Sequence, residues 1–281
     1  MEEAFQAKLR QAPKAAHNQG LDLHRQIQKE QALLNASSIL ITGAAGGIGS
    51  ALAKAYAASG VHLFLGDIEA ERLESLASQC RSLGAQTWST PVDVTVREAM
   101  ATWITQSHQI RPLDLIIALA GISRGTFSRE ETPEETRAVF AVNLDGMLNT
   151  LEPAISLFRQ RGRGQIALMS SLAGSRGFPV APSYCASKAA VRVYGEGLRS
   201  RFLRENILVT VINPGFVKSP MTGANPYHMP FLLSAERAAQ IIKNKLSKGK
   251  ARICFPWPLA AGAYFLSLVP PSWIDRFIKL K

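Results

Sequence analysis

Residues 37–49 read Ser-Ser-Ile-Leu-Ile-Thr-Gly-Ala-Ala-Gly-Gly-Ile-Gly, and this stretch decides the fold. Its apolar run at 39–41 predicts a short buried strand. The glycines that follow predict a tight turn, and residues 50–57 are good helix formers. A strand, a glycine turn and a helix in this order form a phosphate site, because an anion can approach the backbone and the helix N-terminus presents free N–H groups.

A second predicted strand, residues 61–66, is followed by Asp67. This carboxylate lies about 20 residues beyond the glycines, where a dinucleotide-binding fold places the acid that holds the ribose hydroxyls. An anion at this position repels a 2′-phosphate, and no Arg or Lys lies in the glycine turn to attract one. We therefore expect NAD rather than NADP; a strand-end Asp without a ligand is the alternative.

Apolar runs alternate with longer helical patterns along the chain, which predicts parallel βαβ units. The expected fold is α/β: a Rossmann-type, doubly wound parallel sheet of about seven strands with helices on both faces. Strands are expected near 37–42, 61–66, 86–92, 113–119, 164–170, 207–213 and 251–255. A chain of 281 residues, 47% of them apolar, has room for one such domain with extensions. We place the boundaries at 1–35 for an N-terminal extension, 36–256 for the domain and 257–281 for an apolar tail.

A proton-transfer pair is predicted in Tyr184-Cys185-Ala186-Ser187-Lys188. Tyr184 and Lys188 are four residues apart, so on a helix they share one face. A phenol ordinarily has a pKa near ~10, and an adjacent ammonium group favours the phenolate and lowers that pKa. Such a tyrosine can exchange a proton with an alcohol oxygen. A Tyr-x-x-x-Lys pair alone is common on protein surfaces, so the interpretation depends on the other motifs.

Taken together, these motifs resemble the short-chain dehydrogenase/reductase family over roughly residues 36–256. The resemblance implies that Asn143, Ser171, Tyr184 and Lys188 form a catalytic set. It also implies that Tyr184 and Lys188 contact the cofactor together with Gly43, Gly47, Ile48, Gly49, Asp67, Asp93, Val94, Gly121, Pro214, Gly215, Val217 and Ser219. The implied cofactor is NAD, and no metal site is expected, because the cofactor supplies the hydride chemistry.

One segment departs from the family pattern of Asn-Asn-Ala-Gly, since this chain has Ala118-Leu119-Ala120-Gly121. The missing amides ordinarily tie the central sheet together, which leaves a dehydrogenase-like scaffold without turnover as an alternative. The four candidate catalytic residues favour an active NAD(P)-dependent enzyme that interconverts a secondary alcohol and a ketone. The segment 220–233, expected to cover the site, is largely apolar and indicates a hydrophobic or amphipathic small-molecule substrate.

The formal net charge is +11, yet we find no aromatic-basic platform or recognition motif, so nucleic acid is not expected as a partner. The charge suits an anionic ligand or an anionic membrane surface. Residues 253–274 are uncharged and contain four prolines. Three alternatives remain for this tail: a helix packed on the protein or a subunit, a patch dipping into lipid, and a spanning helix, which the prolines disfavour.

The cellular location and the oligomeric state are predicted from the cysteines, the N-terminal composition and the family resemblance. The three cysteines are widely spaced, which indicates a reducing compartment. The first 35 residues have no apolar core of a secretory signal and suggest an appendage or an oligomer contact. We therefore expect a cytoplasmic protein, with a peripheral membrane contact through the C-terminal tail as the open alternative. The family resemblance implies a homodimer or a homotetramer.

Overall fold

The computed structural model describes residues 36–124, 129–223, 228–270 and 272–273. The expected N-terminal extension lies outside these ranges. Residues 224–227 of the segment expected to cover the site, and residues 271 and 274–281 of the tail, also lie outside them.

Seven parallel strands form one sheet in the order β3-β2-β1-β4-β5-β6-β7 within the described residues. They are β1 (Ser38–Thr42), β2 (His62–Asp67), β3 (Gln86–Pro91), β4 (Leu115–Ala118), β5 (Gly164–Met169), β6 (Ile207–Pro214) and β7 (Arg252–Phe255). The doubly wound sheet expected from the sequence is thus confirmed. Strand β4 is shorter than expected, because the N–H groups of Leu119 and Ala120 donate to the Thr42 hydroxyl and not to a neighbouring strand.

Helices cover both faces of the sheet. They are α1 (Gly47–Tyr56), α2 (Ala70–Ser82), α3 (Arg97–Ile110), α4 (Pro133–Phe140), α5 (Gly146–Arg161), α6 (Pro182–Phe202), α7 (Pro220–Gly223), α8 (Ala235–Leu246) and α9 (Trp257–Leu268). One turn of π-helix, Ala141–Asp145, joins α4 to α5, and short 3₁₀ segments occupy Leu172–Ser175 and Leu203–Glu205.

Alternation along β1 explains the two layers of helices. Ile39 and Ile41 point to one face and pack with α1, α2 and α8, whereas Leu40 points to the other face and packs with α3, α5 and α6. Both layers are apolar, which is why the run at 39–41 has no polar alternation. The strand order reverses between β1 and β4, so a crevice opens at the carboxyl ends of these two strands.

Helix α9 has no buried residue among its twelve. Its inner side rests on the 3₁₀ segment after β5 and on β7. Arg176 holds its C-terminal end by donating to the carbonyl oxygens of Leu266 and Val269, at 2.8 and 2.7 Å. Across the described ranges, no helix combines the length and the hydropathy that a membrane crossing requires.

Candidate active site

A cavity of about 510 Å³ opens at the crevice between the carboxyl ends of β1 and β4. The glycine turn after β1 and Asp67 at the end of β2 lie on its wall. Ser171, Tyr184 and Lys188 lie on the wall of the same cavity, although more than 100 residues separate them from the turn in the sequence. The fold therefore brings the candidate phosphate site and the candidate proton-transfer pair into one volume.

The glycine turn is close-packed against the strands beside it. Gly43 has a φ of +65°, which favours glycine, and a Cβ there would lie 2.7 Å from the Cα of Ala120. A Cβ at Gly47 would lie 2.8 Å from the Cβ of Ser219. Gly49 lies behind the cavity wall, where a Cβ would come within 2.3 Å of the Gly43 carbonyl oxygen. The three glycines thus let α1 begin directly against β1 and present its N-terminus to the cavity.

Asp67 faces the glycine turn from the end of β2. Its Oδ2 accepts a hydrogen bond from the Ala45 N–H at 2.9 Å, and its Oδ1 accepts one from the Glu69 N–H at 3.2 Å. Arg72 donates from Nη2 to the Ala45 carbonyl oxygen at 3.0 Å, so the same turn residue is held from both sides. Glu69 and Arg72 also line the cavity. The sequence analysis missed both residues, because no motif marks their approach to the turn.

Ser171 follows β5 at the opposite end of the cavity. Its Oγ accepts from the Ala173 N–H at 3.1 Å, and so caps the 3₁₀ segment, and donates to the Pro214 carbonyl oxygen at 3.4 Å. Ser170 is turned to the other side of the strand end, where its Oγ donates to the Lys188 carbonyl oxygen at 2.7 Å. Both serines line the cavity with Tyr184, but alternation along the strand end sends their hydroxyls in different directions.

Lys188 is 3% exposed, and its Nζ donates to the Met169 carbonyl oxygen at 3.0 Å. The ammonium nitrogen lies 5.7 Å from the centroid of the Tyr184 ring, as their spacing on α6 predicts. Burial lowers the pKa of Lys188 to about 8, because an ammonium group loses its hydration in the protein interior.

Asn143 does not line the cavity; it lies behind Gly121 in the π-helical turn and is 1% exposed. Its Oδ1 accepts from the Ile122 N–H at 2.7 Å, and its Nδ2 donates to the Ile122 carbonyl oxygen at 3.0 Å and the Ser187 hydroxyl at 2.9 Å. A Cβ at Gly121 would lie 3.0 Å from both the Asn143 Oδ1 and the Lys188 Nζ. Glycine at 121 thus lets these two groups converge.

The other candidate cofactor residues all line this cavity: Ile48, Asp93, Val94, Gly121, Pro214, Gly215, Val217 and Ser219.

The segment after β4, where Ala118 and Leu119 stand in place of the family's two asparagines, is fixed by a different set of hydrogen bonds. The Thr42 hydroxyl accepts from the Leu119 and Ala120 N–H groups at 3.0 and 3.2 Å, so β4 is fixed to β1 without the two amides. Leu119 lines the cavity instead of an amide.

Comparisons with known proteins agree with this geometry. A model of the short chain dehydrogenase family matches residues 37–229. An uncharacterized oxidoreductase of Myxococcus xanthus is 32% identical over 237 residues, which cover 84% of this chain and 94% of that protein. A 3-oxoacyl-[acyl-carrier-protein] reductase of Thermotoga maritima is 32% identical over 188 residues, 66% of this chain and 76% of that protein. The crystal structure of levodione reductase superposes with a TM-score of 0.72 at 23% identity, over 79% of this chain and 97% of that one.

The chain therefore belongs to the short-chain dehydrogenase/reductase family and is an oxidoreductase. The family uses an NAD(P) nucleotide, and the cavity suits one. Gly47 and Gly121 add no side chain to the wall, the start of α1 faces the cavity, and Asp67 lies on the same wall at the end of β2.

Proposed function

We propose that this protein is an NAD-dependent oxidoreductase that interconverts a secondary alcohol and a ketone, with Tyr184 as the acid/base. The observation that carries the proposal is the single cavity that Ser171, Tyr184 and Lys188 share with the glycine turn and Asp67. The reductase name of the Thermotoga maritima relative supports carbonyl chemistry of this kind.

A nicotinamide dinucleotide held by the glycine turn would supply or accept the hydride. In the oxidation direction, Tyr184 as phenolate removes the hydroxyl proton of the alcohol; in reduction, the neutral phenol donates a proton to the carbonyl oxygen. Ser171 donates a hydrogen bond to the same oxygen and stabilises the negative charge that develops there. For that contact its Oγ exchanges the long 3.4 Å bond to Pro214 for the substrate.

The ammonium group of Lys188 favours the phenolate form of Tyr184, because the positive charge lies near the ring in an environment from which water is excluded. Because Lys188 also lines the cavity, we propose that it contacts the nicotinamide ribose. Asn143 acts as a positioning residue in this proposal. Its amide pins Ile122 on one side and Ser187 on the other, and so holds the loop after β4 against α6.

The preference for NAD follows from the charges at the glycine-turn end of the cavity. Asp67 and Glu69 bring two carboxylates to the wall. Among the described wall residues, Arg72 is the cation at this end, and it is directed at the Ala45 carbonyl oxygen. A 2′-phosphate would be placed against these carboxylates, and the repulsion disfavours NADP.

The substrate is proposed to be hydrophobic or amphipathic, because the described part of the covering segment brings Pro220 and Met221 to the cavity.

Two further proposals concern the location and the assembly of the protein. Cys80, Cys185 and Cys254 are free, which suits a reducing, cytoplasmic location. Assembly into a homodimer or a homotetramer rests on the family relationship.

A panel of secondary alcohols and ketones, each assayed with NAD(H) and NADP(H) at the NADH absorbance, tests this proposal. We expect turnover of apolar members with NAD(H), and a fall of about 100-fold or more in kcat for Ser171→Ala, because an oxyanion donor is lost. Ser170→Ala is the matched control, since its hydroxyl already donates to the Lys188 carbonyl oxygen. Retained nucleotide binding without turnover of any member would favour the scaffold alternative.

A further inference from the structure

Helix α9 presents large apolar side chains to solvent along one side. Trp257, Tyr264, Phe265 and Leu268 are 79%, 61%, 67% and 64% exposed, and their spacing places them on one face of the helix. Trp273, shortly after the helix, is 67% exposed as well. A cluster of this kind is unusual on a soluble surface and marks an interaction site.

The opposite side of α9 is apolar too, but it is already in use. Leu259, Ala263 and Leu266 are partly buried on the side that faces the protein. Leu259 reaches the cavity wall, since a Cβ at Gly215 would lie 2.9 Å from its Cδ1. A helix that is apolar all round is stable when both sides are covered. The described residues cover only the inner side.

Further apolar side chains are exposed beside the mouth of the cavity. Met221, Phe231 and Leu232, in the segment expected to cover the site, are 41%, 58% and 44% exposed. That segment is held to the cavity wall by hydrogen bonds from Lys218 N to Leu233 O at 2.8 Å and from Leu233 N to Phe216 O at 3.0 Å. The apolar residues of α9 and of this segment thus flank the same stretch, residues 215–219.

The charge of the chain indicates what covers this surface. Residues 206–281 contain ten Lys and Arg but only two acids, Glu236 and Asp275, so most of the net charge of +11 resides in this part of the sequence. Lys218, next to the cavity mouth, is exposed. Trp and Tyr favour the interface between lipid and water, and basic residues favour anionic headgroups.

We propose that α9 and the apolar residues beside the cavity mouth dock this protein on an anionic bilayer surface. The helix lies in the interface and does not cross it, since it has only twelve residues and its inner side already contacts the 3₁₀ segment after β5 and β7. The docked face consists of Trp257, Tyr264, Phe265, Leu268 and Trp273, with Met221, Phe231 and Leu232 at its border.

Flotation with vesicles of phosphatidylcholine mixed with phosphatidylglycerol tests this docking on the full chain, without any activity assay. We expect the wild type to float with the vesicles. The variant Trp257→Ser/Phe265→Ser/Leu268→Ser should lose binding by at least about tenfold, because three large apolar side chains no longer enter the interface. The three positions are exposed, so circular dichroism and the thermal midpoint should change little.

The control is Leu83→Ser/Ile110→Ser/Val193→Ser, which removes apolar residues that are 51%, 55% and 59% exposed at the end of α2, in α3 and in α6. We expect this variant to float like the wild type. Equal losses in both variants, or equal binding of the wild type to phosphatidylcholine alone, would overturn the proposal. A wild type that does not float, together with a fall in oligomer mass for the α9 variant in analytical ultracentrifugation, would assign the surface to a second copy of this chain.

Discussion

The buried ammonium group of Lys188 should make the stability of this protein depend on pH in a defined direction. The pKa of Lys188 falls from 10.5 to about 8 on folding, with burial as the cause. At about 1.4 kcal/mol per pKa unit, the charged form costs the folded state about 3 kcal/mol below pH 8. Between pH 8 and 10.5 the folded state releases the proton while the unfolded state keeps it, so the penalty fades as the pH rises.

Lys188→Met removes this penalty and retains an unbranched side chain of similar length. It also removes the hydrogen bond to the Met169 carbonyl oxygen, which costs about 1 kcal/mol. At pH 7 we therefore expect the variant to exceed the wild type in free energy of unfolding by about 2 kcal/mol. Near pH 10 most of the penalty is gone from the wild type, and the advantage should shrink by about 2 kcal/mol.

The assay is urea denaturation of the cofactor-free protein at pH 7 and pH 10, with the free energy of unfolding compared at each pH. Lys248→Met, at an exposed position, is the matched control and should track the wild type at both. A Lys188→Met variant that is less stable than the wild type at pH 7, or a difference that does not change with pH, would show that the buried charge of Lys188 does not destabilise the fold.

Three further predictions concern the cofactor cavity. Asp67→Ala combined with Ile68→Arg should shift the ratio of kcat/KM for NADP to that for NAD upward by at least about tenfold, because a carboxylate is replaced by a nearby cation; an unchanged ratio would contradict the role of Asp67. Gly121→Ala should lower kcat by about tenfold or more, since its Cβ would displace two converging polar groups, whereas Gly197→Ala, with open space around it, should not. Thr42→Val should lower the free energy of unfolding by about 1–3 kcal/mol in urea denaturation, because two N–H groups lose their acceptor; a neutral effect would show that they find another.

The sheet was predictable because its signals are local. The buried run at 39–41 and the glycine turn after it specify a strand, a turn and a helix by composition alone, and the structure has them in that order. The end of β4 was not predictable in the same way. Its length depends on the Thr42 hydroxyl, which lies 77 residues away in the sequence and takes the N–H of Leu119.

In the candidate site, too, contacts within one helix were predictable from the sequence, whereas contacts between distant elements were not. The spacing of Tyr184 and Lys188 implies their proximity on α6, and the structure has it. The approach of Arg72 to the Ala45 carbonyl oxygen depends on how α2 packs beside the turn, and no local pattern encodes that contact. No sequence signal marks the π-helical turn around Asn143, whose side chain bonds Ile122 and Ser187, 21 and 44 residues away in the sequence.

The C-terminal tail was ambiguous in the sequence for a physical reason. Composition showed that residues 253–274 are apolar, but both sides of α9 are apolar and periodicity cannot tell which one the protein covers. The structure separates the two sides, with Leu259 directed to the cavity wall and Phe265 to solvent.

The most direct test of the central claim is single-turnover hydride transfer by Tyr184→Phe, with NADH binding measured on the same sample. We expect the rate to fall by at least about 100-fold, because the proton donor is gone, while the dissociation constant for NADH changes by less than about threefold. A Tyr184→Phe variant that transfers hydride at the wild-type rate would contradict the assignment of the acid/base.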